Sequence, residues 1–305
     1  MKLRERFQRS PGADRATTTG DLREKESKTM EGTVQTLDLG DVTVHVYTPP
    51  DESLLVNSTI FELSDRLIVV DGQIFQKFAR EVGDVIDRLG KPIDRFILTH
   101  NHPDHYSGFQ HLTERYPGVQ LAALASVREY LVQKGQQVLD VRRSLFGDEI
   151  ASRIVIPDAV IVPGELVISR VRFLFQEFDD AESEFTLTIT LPDHGVALVA
   201  DLLASEHHHL FTVQPHFDEW IAVLNKIRLD VAKFGIKTLI IGHGASIGPE
   251  QVPANIAYLE AAKAAYASSA RSEDFVAAVS AALPERSPEM WLNWSSQMLY
   301  GHVAP

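Results

Sequence analysis

Apolar residues alternate with polar ones, or stand together in short runs, along much of the chain between residues 34 and 99. Alternation with a period of two is typical of half-buried strands, and short unbroken apolar runs are typical of fully buried ones. We therefore predict strands in five segments: 34–39, 42–49, 58–63, 66–72 and 93–99. From Phe75 to Leu89 apolar residues recur at helical spacing, and Gly90 and Pro92 end that predicted helix.

The second half of the chain mixes strands and helices in the same way. Strands are predicted at 173–178, 185–191, 196–200 and 238–242. Residues 192–195 form a turn, 218–233 an amphipathic helix, and the Ala-rich segment 250–300 forms helices broken near Pro284 and Pro288. Groups of strands with helices outside them predict a mixed α/β (α+β) architecture, in which packed sheets are covered by helices.

Three regions differ in composition. Residues 1–33 are polar and charged, with few large apolar side chains, and are predicted to be a flexible N-terminal extension. Residues 34–270 carry the strand and helix patterns and are predicted to form the main domain. Residues 271–305 are predicted to be a C-terminal helical extension that packs on that domain.

Composition narrows the chemistry. The 305 residues carry a net charge of −13, which argues against a generic nucleic-acid binder, because such proteins present basic surfaces. The absence of cysteine excludes disulfides, thiolate metal sites and a cysteine nucleophile. A metal would therefore be held by carboxylates and by some of the 12 histidines.

The distribution of apolar residues bears on where the protein is located. The first 30 residues contain no apolar run of signal-peptide length, and no run of about 18 apolar residues occurs anywhere. We therefore expect a cytoplasmic protein with no membrane partner and a small-molecule substrate. A symmetric homodimer would be an ordinary assembly for such a chain.

The segment that indicates chemistry is His-Asn-His-Pro-Asp-His at 100–105, directly after a predicted buried strand. On an extended chain, His100 and His102 point the same way and could hold one cation. Asp104 and His105 follow Pro103, where the chain turns toward a helix, and could address a second cation. Two metals about 3.5–4 Å apart can activate water and polarise a carbonyl or phosphoryl oxygen.

This hexapeptide resembles the signature of the metallo-β-lactamase superfamily, and three further segments match in order. Asp71 resembles an aspartate at a strand end, with a role in orienting the metal loop by hydrogen bonds. Asp201 resembles the bridging aspartate, and His243 the last metal-binding histidine. The resemblance implies a four-layer αββα sandwich with extra C-terminal helices. It also implies one metal on His100 and His102, a second on Asp104, His105 and His243, and Asp201 between them.

The sequence departs from the family at the third histidine of the first metal. The corresponding stretch, 178–189, has no histidine but offers Asp179, Asp180, Glu182 and Glu184. The alkylsulfatase branch has an acidic residue there and a second acid four residues later, so Asp180 is predicted as the ligand, with Glu184 as the second choice. Zinc is the expected metal. A carboxylate in place of the histidine adds negative charge, which makes the harder metals manganese and iron alternatives and disfavours anionic substrates unless Arg or Lys compensates.

Two further positions bear on the site. Ala200 stands where the family usually has glycine before the bridging aspartate, which reduces backbone freedom. Residues 206–209 include three consecutive histidines shortly after Asp201. In related hydrolases a histidine in this stretch can lie near the metals, and His208 is predicted to contact substrate or a metal-bound water. A surface role for these histidines is the competing interpretation.

The leading hypothesis is a hydrolase with two divalent metals, whose bound hydroxide cleaves a small ester, lactone or thioester. Asp104 would orient the hydroxide and later move its proton. The first alternative is a mononuclear non-haem iron oxidoreductase resembling persulfide dioxygenases, with His100, His102 and either Asp180 or Asp201 around iron. The second is a degenerate member that binds a ligand without catalysis, against which the intact hexapeptide argues.

Overall fold

The computed structural model describes residues 30–302, so the predicted flexibility of residues 1–33 lies almost entirely outside the described residues. Within that range one sheet has seven strands in sequence order. They are β1 (Thr33–Asp38), β2 (Thr43–Thr48), β3 (Ser58–Glu62), β4 (Leu67–Val70), β5 (Ile93–Ile97), β6 (Leu121–Leu124) and β7 (Ala159–Ile161).

Connection length explains the strand directions in this first sheet. Strands β1 to β4 pair antiparallel, because short turns join them, while β4 to β7 pair parallel and need longer crossovers. The crossover segments contain five helices. They are α1 (Gln76–Leu89), α2 (Pro103–Tyr106), α3 (Phe109–Arg115), α4 (Ala125–Tyr130) and α5 (Gln136–Phe146).

A second sheet of the described chain has five strands in the order β12-β11-β10-β9-β8. They are β8 (Gly164–Ile168), β9 (Val171–Asp179), β10 (Phe185–Leu191), β11 (Val196–Ala200) and β12 (Thr238–Ile241). Strands β8 to β11 pair antiparallel, and β11 pairs parallel with β12 across α6 (Phe217–Phe234). Three helices follow: α7 (Gln251–Ser268), α8 (Ser272–Ala282) and α9 (Glu289–Leu299).

The two sheets face each other and also touch at one edge. Phe61 of β3 and Phe173 of β9 meet edge to face, with ring centroids 5.7 Å apart. The backbone N–H of Leu187 donates to the Thr99 carbonyl at 2.9 Å, which holds the chain after β5 against the start of β10. The hexapeptide therefore leaves the first sheet directly beside the second.

Helices cover the outer face of each sheet. Phe109 of α3 packs near Phe96 of β5, with ring centroids 5.7 Å apart. On the other side, buried Trp220, Tyr258 and Phe275 of α6, α7 and α8 belong to one apolar cluster with residues of β11 and β12. Each large apolar side chain buried in this way contributes roughly 1.5–3 kcal/mol. The predicted four-layer αββα sandwich with extra C-terminal helices is confirmed.

The predicted segments match the structure best where apolar patterns are long. All nine predicted strand segments coincide with strands, and the predicted helices coincide with α1, α6 and the C-terminal helices. Sequence reasoning assigned no element between residues 107 and 170, where β6 to β8 and α3 to α5 lie. The three strands there are only 3–5 residues long, too short to show a period. No helix among residues 30–302 has the length and apolarity that a membrane span requires.

Candidate metal centre

Strand ends deliver the chemically active side chains to one place. β5 ends at Ile97, and the following loop carries His100 and His102. Pro103 occupies the first turn of α2, where its missing N–H needs no partner, and α2 presents Asp104 and His105. Asp201 directly follows β11, and His243 follows β12 by two residues. Because β11 and β12 are parallel neighbours, their carboxyl ends meet at the same edge.

The first candidate metal group consists of His100, His102, Glu182 and Asp201, whose ligand atoms all lie within 4.8 Å of one another. His102 Nδ1 is 3.2 Å from Glu182 Oε1, and His100 Nε2 is 3.6 Å from Asp201 Oδ2. Two imidazoles and two carboxylates suit zinc, and they also suit manganese or iron.

The second candidate group consists of Asp104, His105, Asp201 and His243, again within 4.8 Å of one another. His243 Nε2 is 3.1 Å from Asp201 Oδ2 and 3.3 Å from Asp104 Oδ2. His105 Nε2 is 3.4 Å from the same two carboxylate oxygens. Asp201 belongs to both groups, which is the arrangement expected of a residue between two metals.

Buried atoms without hydrogen bonds support a cation in each group. His100 Nε2, His105 Nε2, Asp201 Oδ1 and both carboxylate oxygens of Glu182 are buried and have no hydrogen-bond partner. Leaving such atoms unpaired costs roughly 1–3 kcal/mol each, and more for charged groups. All of these atoms belong to residues of the two groups, so a bound cation would satisfy them together. The residues present therefore fit two divalent metals.

Hydrogen bonds on the side away from the candidate metal positions fix which nitrogen of each imidazole can bind a metal. Asp71 accepts from the Thr99 N–H at 2.9 Å and from the Thr99 hydroxyl at 2.8 Å, and it accepts from His105 Nδ1 at 2.9 Å. Since the Thr99 proton goes to Asp71, Thr99 Oγ1 accepts from His100 Nδ1 at 2.9 Å. His243 Nδ1 donates to the Leu54 carbonyl at 2.7 Å. All three histidines therefore keep a lone pair on Nε2 for a metal. The orienting role predicted for Asp71 is confirmed.

The charged side chains of the two groups shift one another's pKa values. Burial opposes ionisation, but His243 and His105 hold the pKa of Asp201 well below its usual range. Burial would lower the pKa of His102, yet Glu182 raises it to about 9, and burial raises the pKa of Glu182 to about 7. These opposite charges stabilise one another in the absence of a cation, and a bound cation would replace the protons.

The backbone around the bridging position is tightly constrained. A Cβ atom at Gly242 would lie 1.6 Å from Asp201 Oδ1, so no larger residue fits there unless Asp201 moves. Ala200 adopts a left-handed conformation with φ 48°, which explains why glycine is usual before the bridging aspartate. Leu54 is also left-handed, with φ 59°, and its carbonyl orients His243.

The prediction of Asp180 as the replacement for the third histidine is wrong in its placement. Asp180 is exposed at the turn between β9 and β10, with Oδ1 3.6 Å from His216 Nδ1, and it lies outside both groups. Glu184, the second choice, accepts a hydrogen bond from Asn101 Nδ2 at 3.0 Å. Glu182 belongs to the first group instead and is only 2% exposed. Asp180 is exposed, whereas Ala181, Glu182 and Ser183 are all buried, so the turn carries Glu182 inward and leaves Asp180 outside. Its small neighbours Ala181 and Ser183, which fit a buried turn, were the signal that could have selected it.

The groups open into a cleft made of two adjoining cavities. The first, of about 390 Å³, is lined by the loop after β11 and the start of α9, and it includes His208. The second, of about 340 Å³, lies between α5 and α9 and includes His102 and Asp104. Asp201, His243 and Trp291 line both. Trp291 packs against His243, with ring centroids 5.1 Å apart, so α9 forms a wall of the metal centre.

His208 lies in the cleft wall and in neither metal group. Its Nδ1 is 2.6 Å from Ser205 Oγ, and burial lowers its pKa. Arg286 Nη1 donates to the His208 carbonyl at 2.5 Å, so the segment before α9 holds this loop. The position is compatible with contact to substrate, and the catalytic role of His208 stays a prediction.

Comparisons with known proteins agree with this geometry. The sequence profile of the metallo-beta-lactamase superfamily matches residues 52–243, more than half of the chain. A comparison with curated protein sequences gave no match. The match ends at His243, so α7 to α9, with the wall formed by Trp291, lie beyond it.

Solved structures share the fold at low sequence identity. A metallo-beta-lactamase from Pontibacter korlensis has a TM-score of 0.59 at 13% identity, covering 75% of this chain and 99% of that one. A metallo-beta-lactamase from Pseudomonas aeruginosa in its mono-zinc form has a TM-score of 0.58 at 18% identity, covering 77% and 98%. A double mutant of a sec-alkyl sulfatase has a TM-score of 0.59 at 18% identity, covering 83% of this chain and 48% of that one. The chain belongs to the metallo-beta-lactamase superfamily.

Proposed function

We propose that this protein is a metal-dependent hydrolase that cleaves a small carboxylic ester, lactone or thioester. The observation that carries the proposal is the pair of buried four-residue groups that share Asp201 at the base of a cleft. His100, His102, Glu182 and Asp201 would hold one divalent cation. Asp104, His105, His243 and Asp201 would hold the other. When bound, two such cations supply Lewis-acid activation of water and of a carbonyl oxygen.

The charge of the ligand set favours a neutral reacting group. Three carboxylates, from Asp104, Glu182 and Asp201, belong to the two groups. A histidine at the Glu182 position would leave only two. The additional negative charge weakens the attraction of the centre for an anionic ester, because charge at this separation acts through a low-dielectric site. A carbonyl ester, lactone or thioester carries no charge at the reacting atom.

Asp104 and His208 have distinct parts in this proposal. Asp104 Oδ2 lies 3.4 Å from His105 Nε2 and 3.3 Å from His243 Nε2. Burial opposes ionisation of the Asp104 carboxyl, but these two histidines hold its pKa well below the usual range. It would accept the proton of the attacking water and return it to the leaving oxygen or sulfur. His208 would donate a hydrogen bond from Nε2 to the substrate, because its Nδ1 is engaged by Ser205.

A sulfate ester is the second candidate substrate. Its support is the resemblance and not the charge, since an acidic residue at the place of Glu182 is also the pattern of the alkylsulfatase branch, whereas the third carboxylate disfavours an anionic ester. The similarity to a sec-alkyl sulfatase is a likeness of fold alone. The mononuclear iron alternative would use His100, His102 and a carboxylate and leave the second group without a role.

Hydrolysis assays with a matched pair of variants test the proposal. The full chain, loaded with zinc or manganese, is assayed with 4-nitrophenyl acetate, phenyl thioacetate, γ-butyrolactone and 4-nitrophenyl sulfate. Glu182→Gln should lower kcat by more than the roughly 10–100-fold typical of residues that merely support a metal ligand. Asp180→Asn removes a charge two residues away and should leave kcat within about twofold, as exposed substitutions usually do.

The outcomes separate the candidate substrates. Turnover of the three carbonyl substrates with loss in Glu182→Gln supports the proposal. Turnover of 4-nitrophenyl sulfate alone replaces it with the sulfatase candidate. No turnover of any of the four in metal-loaded protein, or equal loss in both variants, contradicts it.

A further inference from the structure

One wall of the cleft carries a positive charge that no neighbour neutralises. Among the described residues lining the two cavities, Arg142 is the only lysine or arginine. Within residues 30–302, no ion pair or hydrogen bond engages its guanidinium. The next residue differs, because Arg143 donates to the carbonyls of Ile150 and Ala151 and pairs with Asp148. The guanidinium of Arg143 therefore stabilises the segment after α5, whereas that of Arg142 faces the cavity.

Arg142 lies within an apolar stripe of α5. Val138, Arg142 and Leu145 stand at i, i+4 and i+7, on one helix face, and all three line the second cavity. Across the cavity stand Trp291 and Trp294 of α9. Leu145 is 65% and Trp294 40% exposed, so large apolar side chains reach solvent at the cavity mouth. Exposed apolar side chains around a concave surface are typical of ligand-binding grooves.

We propose that the cavity between α5 and α9 binds a molecule with an apolar body and a carboxylate, and that the carboxylate pairs with Arg142. The inference rests on the proposed function in one respect: the apolar body would be the part of the substrate that does not react. A guanidinium binds a carboxylate through two parallel hydrogen bonds, which orients as well as holds it. Arg142 would thus be a specificity-determining residue.

Charge complementarity favours an anionic ligand group at this place. The protein carries a net charge of −13, and Glu184 as well as the metal-binding carboxylates line the same cavity. The negative charges would repel an anion from most of this surface. The Arg142 guanidinium would therefore fix an anionic group of the ligand at one position in the cavity. A neutral molecule could accept a hydrogen bond from Arg142 but would lack the opposite charge. The volume of about 340 Å³ lies near the lower end of pockets that hold small ligands.

Binding of two probes of equal shape tests the inference without requiring turnover. Calorimetry on the zinc-loaded full chain measures the Kd of 4-phenylbutyrate and of its neutral analogue 4-phenylbutanamide. We expect the carboxylate to bind at least about tenfold more tightly, as charge-assisted hydrogen bonds imply. Arg142→Ala should remove this preference, and Arg142→Lys should keep part of it. The control Arg228→Ala removes an exposed arginine that lines neither cavity and should change neither Kd.

Direct binding of the carboxylate to the metals is the competing outcome. It would leave the 4-phenylbutyrate affinity unchanged in Arg142→Ala and would abolish it when zinc is chelated, and that result overturns the inference. An Arg142-dependent preference that survives chelation supports it. Ester hydrolysis with no Arg142-dependent preference would overturn this inference alone. An Arg142-dependent preference without hydrolysis of any ester would refute the proposed function and leave the binding site standing.

Discussion

The metal groups and the walls of the cleft are built in different ways. The candidate ligands follow strand ends, and three of their histidines are each fixed by a hydrogen bond that Nδ1 donates. The walls come from α5, α9 and the loop at 203–211, and their side chains include the half-exposed Trp294. The walls formed by α9 lie outside the region that matches the superfamily, residues 52–243. We therefore expect the metal groups to determine the reaction and the walls to determine which substrate binds.

The largest effects should come from the metal groups. His102→Ala and Asp104→Ala each remove one ligand and should lower kcat by at least about 100-fold, with little change in the fold, because surrounding strands hold the loop. Steady-state kinetics with 4-nitrophenyl acetate and circular dichroism on the same samples provide the check. Activity within tenfold of the unaltered protein in either variant would contradict the assignment.

A change that keeps every ligand but crowds one should act next most strongly. In Gly242→Ala the new Cβ would lie 1.6 Å from Asp201 Oδ1, so the bridging carboxylate must move. A displacement of about 1 Å at a reacting centre lowers the rate by roughly 100-fold. Gly235→Ala is the control, because nothing lies within 4 Å of a Cβ there, although its left-handed φ of 61° will reduce stability. Equal kcat values in the two variants would show that Asp201 tolerates displacement.

Changes in the cleft wall should alter binding more than the reaction. Trp291→Ala removes the ring that packs on His243 and lines both cavities. The KM for 4-nitrophenyl butyrate should rise about tenfold, because burial of an apolar group is lost, while kcat changes less. Trp291→Phe should restore most of the affinity. A fall in kcat with an unchanged KM would place Trp291 with the metal groups instead.

The smallest effect on activity is expected at the far end of β5, away from the hexapeptide. Burial opposes ionisation of Asp94, but Arg95 at 2.6 Å and Arg66 at 3.0 Å hold its pKa below the usual range. A lowered folded-state pKa adds stability above the unfolded-state pKa, and this stability is lost as pH falls through the folded value. Asp94→Asn should therefore lower the free energy of unfolding by about 1 kcal/mol at pH 7 and by much less at pH 3.

Urea unfolding of Asp94→Asn and of the unaltered protein at both pH values measures this difference, and kcat at pH 7 should not change. A larger loss of stability at pH 3 than at pH 7 would reverse the expected sign. A change in kcat would show that the two ends of β5 are coupled.

Site residues that lie close together in the sequence could be predicted more directly than those that lie far apart. His100, His102, Asp104 and His105 share six residues, so their spacing alone indicated a metal site. Asp201 and His243 could be assigned only through the resemblance to the superfamily, since nothing local links them to the hexapeptide. Both signals stand after strands: the hexapeptide after β5, Asp201 after β11 and His243 after β12.

Other features depend on tertiary packing and escaped prediction. Sequence spacing does not separate Asp180 from Glu182, because only the path of the turn between β9 and β10 decides which acid is buried. Arg142 lies on α5, a helix that the sequence analysis did not predict, and nothing in the sequence separates it from the other arginines of the chain. Only the structure shows that it lines a cavity whose opposite wall is α9. The residues expected to select the substrate were therefore harder to predict from the sequence than those expected to bind metal.

Metal content per chain tests the central claim most directly. Elemental mass spectrometry is applied to the full chain purified without added metal or chelator, beside Glu182→Ala and Asp180→Asn prepared in the same way. We expect two divalent ions per chain in the unaltered protein and in Asp180→Asn, and close to one in Glu182→Ala. One ion or none in the unaltered protein, or two retained in Glu182→Ala, would contradict the assignment of a two-metal centre completed by Glu182.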